Sequence, residues 1–100
     1  MSNQTAILES FLADESNFIV KLRFLDGLDK ENVEVFIKIL NGIKNEIKAK
    51  DMIEKRLAFL LVEIVPILMS LTSMYSDKEQ EEILSEIDRI SMTISEVLEP

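Results

Sequence analysis

Two glutamates, Glu15 and Glu63, fall on or within runs of apolar residues spaced as on helices. A carboxyl group held among apolar side chains resists ionisation and can serve as a general acid. The same placement also arises when a carboxylate sits at the edge of an apolar stripe, pairs with a nearby cation or fixes helix register. We favour the structural role for both. Nothing else in the chain supplies a catalytic partner: histidine and cysteine are absent. That removes the usual general base, the thiolate nucleophile and the common zinc ligands. Carboxylate-bridged di-metal bundles need Glu-x-x-His pairs, and no glycine-rich phosphate loop occurs. The sequence therefore predicts no catalytic residue, no bound metal and no cofactor.

Charge offers two further candidates. Glu81, Glu82, Glu86 and Asp88 lie close together near the C-terminus, in a chain of net charge −8. An acidic helix can imitate nucleic-acid charge and occupy a basic partner's site. It can equally be a solvated face whose first turn complements the helix dipole. Lys44, Lys48, Lys50, Lys55 and Arg56 form a basic cluster without interleaved aromatics. On so acidic a protein this predicts no direct nucleic-acid binding.

The elements that carry these residues follow from apolar spacing. One hundred residues, with only two glycines and two prolines, predict a single all-α domain over 1–100. Spacings of three and four mark four blocks, over about 3–26, 29–49, 51–75 and 77–98. In the first, Leu8, Phe11, Phe18, Leu22 and Leu25 keep one phase, so one helix is expected, although Asp14 to Asn17 offers a place to break. Gly27 supplies a stop. The second starts at Asp29, a good N-cap, and carries Val33, Phe36, Leu40, Ile43 and Ile47 through Asn41-Gly42. Asp51 with Glu54, and Ser76 with Glu79, have capping-box spacing for the third and fourth. The third carries Ile53, Leu57, Leu60, Ile64, Ile67, Leu71 and Met74, and Pro66 is expected to kink it without ending it. The fourth has the cleanest stripe: Ile83, Ile87, Ile90, Ile94 and Val97. Short connections predict an antiparallel up-down-up-down four-helix bundle.

The third block exceeds what a bundle needs. Phe59, Val62, Pro66 and Met69, at spacings of three, four and three, form a second stripe on roughly the opposite face. Leu61, Val65 and Leu68 fill much of the space between. A helix apolar all round must be surrounded, and three other helices cannot both surround it and bury their own stripes. Val20 and Phe24 in the first block lie off their main stripe in the same way. The sequence thus predicts a non-catalytic interaction module, a homodimer through the third helix or a binder of another protein. The contrasting expectation is a lone protomer with the third helix at its centre. No basic region precedes an apolar run at the N-terminus, and the longest apolar stretch is interrupted by Glu63 and Pro66. A cytoplasmic protein that does not insert into membranes is expected.

Overall fold

The computed structural model describes residues 3–50 and 52–99. They form five helices: α1 (Asn3–Ala13), α2 (Phe18–Arg23), α3 (Lys30–Lys50), α4 (Lys55–Thr72) and α5 (Asp77–Leu98). No strand occurs among the described residues. The all-α expectation holds. The fourth predicted helix matches its bounds, and the second is displaced by one residue at each end.

The first block is two helices, not one. Asp14 accepts from the backbone and hydroxyl of Ser16 through Oδ1, which forms a local turn. Asn17 then starts α2. Its Oδ1 accepts from the Val20 N–H, while its Nδ2 donates back to the carbonyls of Phe11 and Leu12. One buried side chain thus closes both sides of the break. The turn lets Phe11 and Phe18 both reach Phe36 of α3, with ring centroids 5.1 and 5.5 Å away. Glu15 lies in this turn and is exposed, so its apparent stripe position is not a buried one. Glu63 is exposed as well, which removes the motive for reading either as a buried acid.

α2 ends at Arg23 through a Schellman motif. The Asp26 N–H donates to the Lys21 carbonyl and the Leu25 N–H to the Leu22 carbonyl. The left-handed position is therefore Leu25, with φ 60°, two residues ahead of the expected stop at Gly27. Gly27 also has positive φ, in the link that leads to α3. Asp29 caps α3 as predicted, its Oδ1 accepting from the Asn32 N–H at 3.1 Å.

α4 is shorter than the predicted 51–75. Glu54 occupies its N-cap with extended φ and ψ, and Thr72 is its last residue. The proposed Asp51–Glu54 capping box cannot be assessed because Asp51 lies outside the described residues. Glu54 instead accepts a bond from the Thr5 hydroxyl of α1. The helix runs unbroken through Pro66. At its far end, Ser76 caps α5: its Oγ accepts from the Glu79 N–H and donates to the Glu79 carboxylate.

Ion pairs and hydrogen bonds define the helix directions. Along α3 and α5, Lys30 meets Glu82, Glu34 meets Arg89 and Lys44 meets Glu96, so both chains advance together. Along α1 and α3 the order reverses, from the hydrogen bond of Gln4 with Glu46 to the Phe11–Phe36 pair. Successive long helices alternate direction, as predicted. Neighbour relations differ from the simplest bundle, however. α5 packs against α3 and α4, and α1 and α2 also pack against α3 and α4. Among the described residues α3 and α4 do not pack on each other, although they are consecutive. They occupy one diagonal of the bundle, and residues 52–54 lie on the link that crosses it.

The core lies between all four positions. Leu8, Phe18 and Leu22 from the first block meet Val33, Phe36, Leu40 and Ile43 of α3. Ile83, Ile87, Ile90, Ile94 and Val97 of α5 complete it, all buried as predicted. On α4 the buried line is Leu57, Leu61, Ile64, Leu68 and Thr72. The predicted line shares Leu57 and Ile64 with it but otherwise runs through Ile53, Leu60, Ile67, Leu71 and Met74. Of these, the first four are only partly buried and Met74 is exposed. The buried line is thus turned by part of a helical step from the predicted one.

Candidate interaction surface on α4

Phe59, Val62 and Met69 are 61%, 52% and 49% exposed, and Pro66 is exposed between them. Their spacing places them on one side of α4, because each residue advances the helix by about 100°. None of them belongs to the core.

The flank they occupy can be deduced from contacts elsewhere on the helix. Arg56 is ion-paired with Glu9 of α1, which marks the flank of α4 that faces α1. Leu60, Ile67 and Leu71 share that flank and are partly buried. The exposed stripe lies on the other flank, beside α5. On α5, Glu82, Arg89 and Glu96 turn towards α3 through their ion pairs. Leu84 stands on the opposite side of that helix and is 37% exposed. By helical phase it lies on the α4 side of α5. Sequence reading missed Leu84; its departure from the clean isoleucine stripe was the available signal.

Val20 and Phe24 do not join this surface. They belong to α2 and its C-cap, which pack on the α1 side of α4. Val20 is partly buried. Phe24 is 70% exposed beside Leu25, at the bundle end that holds Tyr75.

The acidic candidates are arranged differently. Glu82 lies 3.8 Å from Lys30, and Glu86 bonds Arg89 at 2.8 Å. Arg89 also reaches Glu34, at 2.6 Å, and this pairing holds the Glu34 carboxyl below its usual range. Half of the acidic set is thereby engaged in tying α5 to α3 or to itself. Glu81 and Asp88 are exposed and form no ion pair among the described residues. Of the basic cluster, Lys44 pairs with Glu96, Lys50 with Glu46 and Arg56 with Glu9. These pairs spread its charge over several helices.

A shallow cleft of about 530 Å³ opens where residues 52 and 53 pass the ends of α3 and α5. Its apolar lining includes Ile47, Ile53 and Val97, with the Lys44–Glu96 pair at the rim. No candidate acid or nucleophile from the sequence converges there. Every buried side-chain polar atom among the described residues has a hydrogen-bond partner. No helix among the described residues is long and apolar enough to cross a membrane.

Comparison with protein families, with curated proteins and with solved structures finds no match to this chain.

Proposed function

We propose that this chain is a non-catalytic protein–protein interaction module, a small regulator, adaptor or assembly subunit that docks through α4. The supporting observation is the stripe of Phe59, Val62, Pro66 and Met69, which the chain's own helices leave uncovered. Contiguous apolar surface on a folded domain commonly marks a binding face. A helix with side chains at these spacings can lie in a groove or against another helix. The proposal includes a cytoplasmic setting, in keeping with a chain that has no cysteine.

The test compares wild-type bait with a Val62→Glu/Met69→Glu double variant in capture from the native cell. Both positions are exposed, so the variant should fold, with helicity and thermal midpoint close to wild type. A partner retained by wild type and lost with the variant supports the reading. Retention that persists in about 0.5 M salt marks apolar docking, because screening shortens the reach of charge-driven contacts to a few ångströms. Retention unchanged by the double variant, or lost in salt for both proteins, rejects α4 as the docking face.

A further inference from the structure

We infer that the occupant of the α4 face is a second copy of this chain, laid antiparallel across a two-fold axis near Ile64. The inference rests on the docking reading above and names its partner.

A two-fold interface requires self-complementarity: if residue i of one copy meets j of the other, j must meet i. The exposed line of α4 satisfies this in sequence. Val62 and Pro66 stand two positions on either side of Ile64, and Phe59 and Met69 stand five positions on either side. Lys55 and Ser73 continue the same line at nine positions on either side. Running two such helices in opposite directions brings Val62 against Pro66 and Phe59 against Met69, twice each. A thioether against an aromatic ring is a favourable pairing that tolerates imperfect fit. Parallel alignment would instead set Phe59 on Phe59 and Lys55 on Lys55.

Charge supports the antiparallel choice. Lys55 is exposed at the start of the line and forms no ion pair among the described residues. In the antiparallel arrangement it lies over the C-terminal end of the other α4, beside Ser73. Helix C-termini carry partial negative charge and attract cations. Asp77 and Glu79, in the first turn of α5, follow closely beyond that end. A parallel pair would bring the two lysines together over two positive helix ends.

The contact is one helix wide with a fringe from Leu84, so it falls at the small end of specific interfaces. A dissociation constant in the range of about 10–100 µM is expected.

Because the chain lacks cysteine, single cysteines report the arrangement directly. The experiment combines sedimentation of the wild-type chain with crosslinking of Val62→Cys, Ser73→Cys and Lys55→Cys by a short bifunctional maleimide. The two copies of position 62 lie about 6 Å apart along the axis, and the two copies of position 73 about 27 Å. Expected results are a concentration-dependent dimer, weakened at least tenfold in Val62→Glu/Met69→Glu. Val62→Cys should crosslink to itself. Ser73→Cys should not, yet it should crosslink to Lys55→Cys when the two proteins are mixed. Efficient self-crosslinking of Ser73→Cys overturns the inference, as does a dimer indifferent to the double glutamate variant. A wild-type chain that stays monomeric to several hundred micromolar also overturns it. The docking reading would still stand if face-dependent capture succeeds, and would fall with it only if capture fails too.

Discussion

The hydroxyl of Tyr75 donates to the carbonyl of Leu22 at 2.9 Å, joining two turns that are 53 residues apart in the chain. The same oxygen accepts from the Gly27 N–H at 3.3 Å. One side chain therefore fastens the end of α2 and its following link to the turn between α4 and α5. Replacing Tyr75 with Phe keeps the ring and removes both bonds. A loss of about 1 kcal/mol is expected, since Leu22 still accepts from Leu25. For a domain of this size that is a fall of roughly 4–8 °C in thermal midpoint, read by calorimetry or circular dichroism.

Leu25 occupies the left-handed position that ends α2, where a Cβ collides with the adjoining carbonyl. Its side chain is 60% exposed and contributes little packing in return. Leu25→Gly should raise stability by about 0.5–1 kcal/mol, after allowing for the greater freedom glycine gives the unfolded chain. Equilibrium urea unfolding provides the measurement. A destabilised variant would mean that the leucine side chain matters more than the backbone strain.

Asn17 separates donor from acceptor roles in one side chain. Asn17→Asp can still accept from the Val20 N–H, but its carboxylate cannot donate to Phe11 and Leu12. Two carbonyls would then face a buried negative charge. A loss of about 2 kcal/mol at neutral pH is expected, larger than for removal of an ordinary cap. Comparing denaturant midpoints at pH 7 and pH 4 checks the mechanism, because protonating the new carboxyl should narrow the deficit.

Asp29 gives the chain a defined acid response. Lys21 bonds its Oδ2 at 2.6 Å, and with the Asn32 N–H this holds the carboxyl below its ordinary value of 3.8. A lowered folded-state pKa stabilises the native chain above 3.8, and that contribution disappears as the pH falls through the folded value. Lys21 is shifted upward by the same pair, so its share persists until strongly alkaline pH. Asp29→Asn should be less stable than wild type at pH 7. The gap should close as the pH drops below 3.8, which acid titration of both proteins by circular dichroism will follow.

α5 was legible in full because its isoleucines occupy one narrow line and every other face is polar. α3 was legible for the same reason, and Gly42 did not interrupt it. α1 and α2 misled because Leu8, Phe11, Phe18 and Leu22 keep helical phase even though the chain turns between them. The turn depends on Asn17 bonding backward to two carbonyls, a relation that no residue spacing expresses. On α4 the abundance of apolar residues was visible, but the buried line was not. When most of a helix is oily, phase alone does not choose its centre; the packing of α5 and α1 does. The exposed stripe was nevertheless recognisable, since it lies far from either possible centre. Leu84 escaped notice because its meaning depends on which helix stands beside it.

The diagonal placement of α3 and α4 has a consequence for how the chain holds together. α3 and α4 are joined directly but lean on other elements, so neither half of the sequence can finish its core alone. α1, α2 and α3 make one half-shell, α4 and α5 the other, and the two meet where α3 packs on α5 and where α1 and α2 pack on α4. Unfolding should be all-or-none, with damage to either half-shell felt equally in both.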